Sequence, residues 1–286
     1  MLNNQSLLGE NLNDNIWGEG TDNPATTAEY NGRYPAMVIS MVNDNTSSVA
    51  TRKVIQSIKV TESELDPFIM PATTPDNLDE HLSYFGFTKA NWTYPSEPYE
   101  QRIDINSGLT LTGYNAVDVN KVIACMVSHM RVWRFSAMGD VPFVVLEHDA
   151  VFNRKFVADD FPRLEGGIIG LNDPRGATRK GSVYLDKIIN ANGFSNDFPT
   201  IKPAPYVDYV QTELGEGPAD TKAPQGLAGN SAYLIYPNAA GQMLELVNTH
   251  GLWPNDALMC KQLVPYLRHA YPFYTGLQGV ASTTQN

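Results

Sequence analysis

Between residues 35 and 75 an apolar run, a helix-length amphipathic stretch and a second apolar run follow one another, and this order restricts the fold more than any other feature. "PAMVISMV" (Pro35–Val42) has the pattern of a buried strand. In "NDNTSSVATRKVIQSIKV", Thr46, Ser47 or Ser48 is placed to cap a helix whose apolar positions are Val49, Val54, Ile55 and Ile58. "LDPFIMPATTP" is a second short strand that ends in a Pro-rich loop. Strand, helix, strand is a βαβ unit, which predicts a parallel pair with ligand sites beyond the strand ends.

The remaining segments extend this pattern. Val119, Ile123, Met126, Met130 and Trp133 recur every three or four residues and predict an amphipathic helix. "GDVPFVVL", "EGGIIGL" and "NSAYLIY" predict strands. A helix is expected from Asn238 to about Thr249. A last helix is expected within "WPNDALMCKQLVPYL", with Asn255 as its cap. Residues 76–114 are aromatic and turn-rich and carry no assignment, while the Pro, Gly and Asp of residues 190–228 predict a long irregular segment. The expected organisation is a polar arm over residues 1–34, one α/β domain over residues 35–275 and a polar tail over residues 276–286.

Acidic residues number 31 and basic ones 20, a formal charge of -11, so nonspecific attraction to nucleic acid or anionic lipid is not expected outside a local basic patch. One such patch is "PRGATRKG", with Arg175, Arg179 and Lys180, either a solvated loop or a phosphate grip. The five His residues form no zinc signature. Cys125 and Cys260 suggest neither a disulfide framework nor a thiolate metal site, and free thiols suit a reducing cytosol. No segment has the pattern of a secretory signal or the length of a membrane span, so a soluble cytoplasmic protein is expected.

"FVVLEHDAVF" (Phe143–Phe152) carries the chemistry. Four apolar residues form a buried strand, and Glu147 and Asp149 follow one residue apart. In extended chain the two acids point to one side and His148 to the other. Paired acids repel unless a positive group lies near them, and Mg²⁺ or Mn²⁺, which prefer oxygen ligands, are natural partners. The plainer alternative is that both acids are turn residues or helix caps. Paired-carboxylate glycoside hydrolysis suits the pattern poorly, because its two acids flank the scissile bond.

"IACMVSHMRVWRFSAMGDVPFVVLEHDAVF" resembles the central block of glycosyltransferase family 25, the lipooligosaccharide and collagen galactosyltransferase group. Cys125, Ser128, His129, Trp133, Leu146, Glu147 and Asp149 fall in register with it. "GLAGNSAYLIYPNAAGQMLE" and "PNDALM" resemble two further blocks in the same order, and "AMVISMVNDNTSSVATRK" resembles the opening strand. His148 stands where an Asp is usual, and "GNSAY" replaces a Gly-Thr-His-Ala-Tyr type segment.

The resemblance implies a GT-A-like fold, a mostly parallel central sheet flanked by helices, binding a nucleoside-diphosphate sugar. It implies that Asp149 ligates Mn²⁺ or Mg²⁺ and that Glu147 contacts the ion or the donor. In such a fold Ser40, Val42, Ala72, Thr73 and His148 would border the donor, with Arg52 adding positive charge nearby. Inverting transfer needs a base, for which Asp256 is the candidate; as a first-turn acid it equally suits the helix dipole. Asn230, Ser231, Tyr233 and Trp253 are candidates for gripping the acceptor, with core packing the alternative for Tyr233 and Trp253. His129 reads as a hydrogen-bonded structural histidine, and Ser128 as a residue that back-bonds within its helix. The expected acceptor is a saccharide. A hydroxylated base in DNA and a noncatalytic sugar-binding role are the alternatives.

Overall fold

The structure, a computed structural model, describes residues 32–114, 116, 118–161, 167–177, 181–190, 200–204, 209–212, 215–218, 222–227 and 229–279. The arm up to residue 31 and the two basic residues Arg179 and Lys180 lie outside the described residues. Among those described, the strands are β1 (Tyr34–Ser40), β2 (Leu65–Pro71), β3 (Gln101–Ile103), β4 (Thr110–Thr112), β5 (Phe143–Glu147), β6 (Ala150–Phe152), β7 (Ile168–Gly170), β8 (Thr200–Pro203), β9 (Tyr209–Thr212), β10 (Gly215–Pro218), β11 (Ala232–Ile235), β12 (Leu267–Tyr271) and β13 (Thr275–Leu277). The helices are α1 (Asn45–Val60), α2 (Leu78–Tyr84), α3 (Val119–Met138), α4 (Gly181–Ile189), α5 (Pro237–His250) and α6 (Asn255–Leu258).

Seven strands form the central sheet in the order β2-β1-β5-β11-β7-β12-β8. β1 is parallel to both β2 and β5. β11 is antiparallel to both β5 and β7, so β7 runs with β5; β12 is parallel to β7, and β8 is antiparallel to β12. All strands except β11 and β8 therefore point one way, and their C-terminal ends line a single edge. That edge of an open α/β sheet is where ligands bind. Pairs β3–β4, β6–β13 and β9–β10 form small separate sheets.

Register assigns the helices to faces. Ile39 and Ser40 are successive strand residues and point to opposite sides. Ser40 Oγ accepts from Thr51 Oγ1 of α1 at 2.7 Å. Glu147, in register with Ile39, meets His129 of α3. So α1 covers one face and α3 the other. α3 packs against α5 and α2 as well as the sheet, and burial runs almost all round it from Val122 to Ser136. A helix covered on every side needs this near-continuous apolar character. Its two buried arginines find specific partners: Arg131 Nη1 donates to Pro71 O at 2.7 Å, and the Arg134 guanidinium lies 4.7 Å from the Tyr84 ring centroid.

Leu146 is fully buried in the middle of the sheet, and Leu146→Ala is expected to cost about 3 kcal/mol, read as a lower urea midpoint with an unchanged slope.

Several expectations are corrected. The cap of α1 is Asp44, whose carboxylate accepts the Ser47 N–H, and none of Thr46, Ser47 and Ser48. Val49 is exposed, and the buried stripe of α1 is Ser47, Ala50, Thr51, Val54, Ser57 and Ile58. Small residues let this helix lie close to β1 and β6. Residues 76–114 hold α2 and the β3–β4 hairpin, and residues 190–228 contribute β8, β9 and β10. The last predicted helix is the single turn α6, capped by Pro254 with Asn255 inside it. Beyond it residues 259–266 run through bends and turns before β12 begins at Leu267, although Met259, Leu263, Val264 and Leu267 keep a helical spacing. β13 crosses the expected domain boundary at residue 275 to pair with β6.

Candidate functional site

The site lies at the C-terminal edge, where β5 ends. Glu147 is its last residue, and His148 and Asp149 form a turn before β6. Strand alternation therefore stops at Glu147 and does not set the direction of Asp149, contrary to the extended-chain expectation. The turn itself is pinned by Gln278, whose N–H donates to Asp149 O at 2.8 Å and whose side-chain amide donates to His148 O at 3.2 Å and Ala150 O at 3.1 Å. The two acids remain close enough to interact. Burial first, and the Glu147 charge second, push the Asp149 carboxyl up to about 7.

α3 fixes both walls of this edge. Ser128 Oγ accepts the Thr73 N–H at 2.9 Å and donates to Ala124 O at 2.9 Å, combining the predicted back-bond with a tie to the loop after β2. Arg131 holds the same loop at Pro71 O. One residue after Ser128, His129 Nε2 lies 3.2 Å from Glu147 Oε1, and its Nδ1 lies 2.8 Å from the Tyr233 hydroxyl. His129 is 1% exposed and satisfied at both nitrogens, as expected of a structural histidine.

A third carboxylate arrives from more than a hundred residues away. α6 presents Asp256, half-buried, to the Tyr114 hydroxyl, which donates to its Oδ1 at 2.8 Å. Burial is the main reason its carboxyl is raised; Tyr114 opposes the shift and Glu147 adds to it. Cys125 stands among these acids. Its thiol is pushed well above its ordinary range by burial and then by Glu147, Asp256 and Asp149. Its Sγ lies 3.8 Å from Asn255 Oδ1.

The turn carrying Asp256 rests directly on Gly226: a Cβ there would meet Asp256 O at 2.1 Å. Gly226→Ala is expected to displace the turn that carries Asp256 and to cost about 1–3 kcal/mol of stability, read as a lower urea midpoint. A variant with a wild-type urea midpoint would show that the turn shifts without cost.

Two donor sets are possible for a cation here. Atoms of Cys125, His129 and Glu147 lie within 4.8 Å of one another. This set fits poorly, because both His129 nitrogens are engaged, and burial and the surrounding acids disfavour the thiolate that a cation would need. The oxygen set, Glu147 with Asp149, fits a hard divalent cation. Asp149 Oδ1 is buried without a hydrogen-bond partner among the described residues, and neither Asp149 nor Asp256 takes part in an ion pair there. Ser231 Oγ and both polar atoms of the Asn230 side chain are likewise buried without a partner among the described residues, at the β11 end of the same edge, where Ser231 O accepts the Glu147 N–H at 2.8 Å.

The other candidates are sorted by burial. Tyr233 and Trp253 are each 0% exposed and offer no ring face to an acceptor. Trp253 donates instead to Thr93 Oγ1 at 2.9 Å. Ser40 is buried with its hydroxyl engaged by Thr51, and Thr73 Oγ1 is bonded to His81 Nδ1, so neither side chain is available to a donor. The backbone of these loops still borders the edge: Ala72 N donates to Ser40 O at 2.8 Å. Val42 and Arg52 are exposed. His148 is half-buried, and its imidazole is lowered by burial against the opposing charges of Glu147 and Asp44. Arg175 is paired with Asp173 at 2.6 Å.

Cys125 belongs to the site instead of the core, and its i, i+4 relation to His129 was the available signal. Tyr114 and Gln278 carried none, because only tertiary packing brings them here. No known protein-family model matches the chain, and comparison with curated proteins gave no match. No helix among the described residues is long and apolar enough to cross a membrane.

Proposed function

We propose that this chain is a divalent-cation-dependent glycosyltransferase with a GT-A-like sheet, moving a sugar from a nucleoside-diphosphate donor to a saccharide hydroxyl. One observation carries the reading. Carboxylates from β5, the turn after it and α6 interact at the C-terminal edge of a mainly parallel sheet, and Asp149 Oδ1 is buried there without a partner among the described residues.

Glu147 and Asp149 would hold Mn²⁺ or Mg²⁺, which when bound offsets the charge on the departing diphosphate. The loops after β1 and β2, tied together through Ala72 and Ser40, would receive the nucleotide with their backbone. Asp256 would accept the proton of the acceptor hydroxyl. A carboxyl raised above its ordinary range is a better base near neutral pH, provided it is ionised. Ser231 and Asn230 supply polar groups to sugar hydroxyls. A saccharide suits the site better than DNA: of the basic patch, Arg175 is already neutralised by Asp173. Two free thiols suit work in a reducing cytoplasm.

A thermal-shift panel of nucleoside-diphosphate sugars, with and without Mn²⁺, tests the reading. A ligand at a hundred times its dissociation constant adds about 2.7 kcal/mol. Stabilisation by one donor class only when Mn²⁺ is present, followed by slow donor hydrolysis, is expected. Stabilisation without hydrolysis or transfer points to a noncatalytic sugar-binding protein.

A further inference from the structure

The hydrogen bonds behind Glu147 run in one direction, and the direction follows from the chemistry of the first donor. An indole N–H can only donate. Trp133 Nε1 donates to the Tyr233 hydroxyl oxygen at 2.8 Å. Tyr233 is fully buried, so its own hydrogen needs an acceptor, and His129 Nδ1 lies 2.8 Å away. Nδ1 therefore accepts, the ring proton sits on Nε2, and Nε2 donates to Glu147 Oε1 at 3.2 Å. The opposite tautomer would give the Tyr233 oxygen two donors and strand its hydroxyl hydrogen in the core, a costly arrangement. The His129 and Tyr233 rings also stack, with centroids 5.8 Å apart and planes 18° apart, which resists rotation of the imidazole.

This chain ends on the residue shared by both possible donor sets. Cys125, one helical turn before His129, completes a sulfur, nitrogen and oxygen trio with Glu147. Thiophilic cations such as Zn²⁺ take such sets, but through an imidazole lone pair. In the tautomer above, the Nε2 lone pair is replaced by a proton aimed at Glu147.

We propose that Trp133 and Tyr233 act on Glu147 through His129, presenting Glu147 as an oxygen ligand for a hard cation and keeping the Cys125–His129–Glu147 trio closed to a thiophilic one. The inference rests on the reading that Glu147 and Asp149 hold a divalent cation. Trp133, Tyr233 and His129 are positioning residues in it; none touches substrate.

The full chain is tested with the metals alone and with ¹⁵N-labelled imidazoles. The ring spectrum of the wild type is expected to show His129 protonated at Nε2. Tyr233→Phe keeps the buried ring and removes the hydroxyl, freeing the tautomer. It is expected to weaken Mn²⁺ binding about tenfold and to raise the Zn²⁺-to-Mn²⁺ affinity ratio at least tenfold. Adding Cys125→Ser to Tyr233→Phe should return the ratio towards that of the wild type. His129→Gln, which can still donate to Glu147, should hold Mn²⁺ better than His129→Leu. A wild-type ring protonated at Nδ1 overturns the proposal, as does an unchanged metal ratio in Tyr233→Phe. Wild-type protein that binds no Mn²⁺ overturns the cation reading and the metal part of this proposal together, whereas the ring spectrum decides the hydrogen-bond chain by itself.

Discussion

Asp149→Asn is expected to remove metal-dependent turnover and, at the same time, to make the metal-free protein more stable. Asp149 is held at about 7 against an ordinary 3.8, because burial and Glu147 both disfavour its charge. The folded state thus binds this proton more tightly than the unfolded chain. The contribution of Asp149 to stability is greatest below pH ~4 and falls as pH rises towards the folded value of about 7. Above that, the ionised group costs up to about 4 kcal/mol, and partial exposure reduces this to on the order of 2 kcal/mol. Asn removes that cost and cannot supply a carboxylate oxygen to Mn²⁺, so turnover should fall roughly a thousandfold. Urea titrations at pH 5 and pH 8, beside a Mn²⁺-dependent donor-hydrolysis assay, check both halves. A variant that stays Mn²⁺-dependent, or that is less stable than the wild type at pH 8, contradicts the assignment.

Asp256→Asn has the second largest expected effect. If Asp256 takes the acceptor proton, kcat falls by about 10²–10⁴ while Mn²⁺ and donor affinities stay near their wild-type values. Its raised carboxyl places the acid limb of the kcat profile above the ordinary carboxylate range, with activity lost as pH falls through it. The Tyr114 hydroxyl stabilises the ionised form, so Tyr114→Phe should move that limb to higher pH and leave the plateau closer to wild type than Asp256→Asn does. A first-turn acid that only complements a helix dipole behaves otherwise: Asn would then cost about 0.3–1 kcal/mol of stability and leave kcat alone.

These predictions draw on residues of different legibility. The β1–α1–β2 unit, α3 and the β5 strand were plain in the sequence, because their apolar periods are long and uninterrupted. Glu147 and Asp149 stood out because two acids one residue apart repel unless a positive group lies near them. The cap of α1 lies two residues or more before the expected ones, since Asp44, Thr46, Ser47 and Ser48 are all capping types and only backbone geometry selects Asp44. α6 is shorter than its apolar spacing suggests, because Met259, Leu263 and Val264 recur at helical intervals but lie in the irregular stretch before β12. Tyr233 and Trp253 were candidate sugar contacts since aromatic residues serve equally as core, and burial decided for the core. Cys125 reads as an ordinary free thiol in the sequence because its acidic neighbours come from β5, the turn after it and α6.

The sequence by itself determined the α/β class, the parallel start of the sheet and the acidic strand end, all of which depend on contacts between near neighbours in the chain. Only the tertiary structure decided which groups meet there. It brought Asp256 and Tyr114 to one another across 142 residues and His129 to Tyr233 across 104, and it left Asp149 Oδ1 buried without a partner among the described residues. The physical reason is that hydrogen bonding and desolvation act between side chains that packing brings together, whatever their separation along the chain.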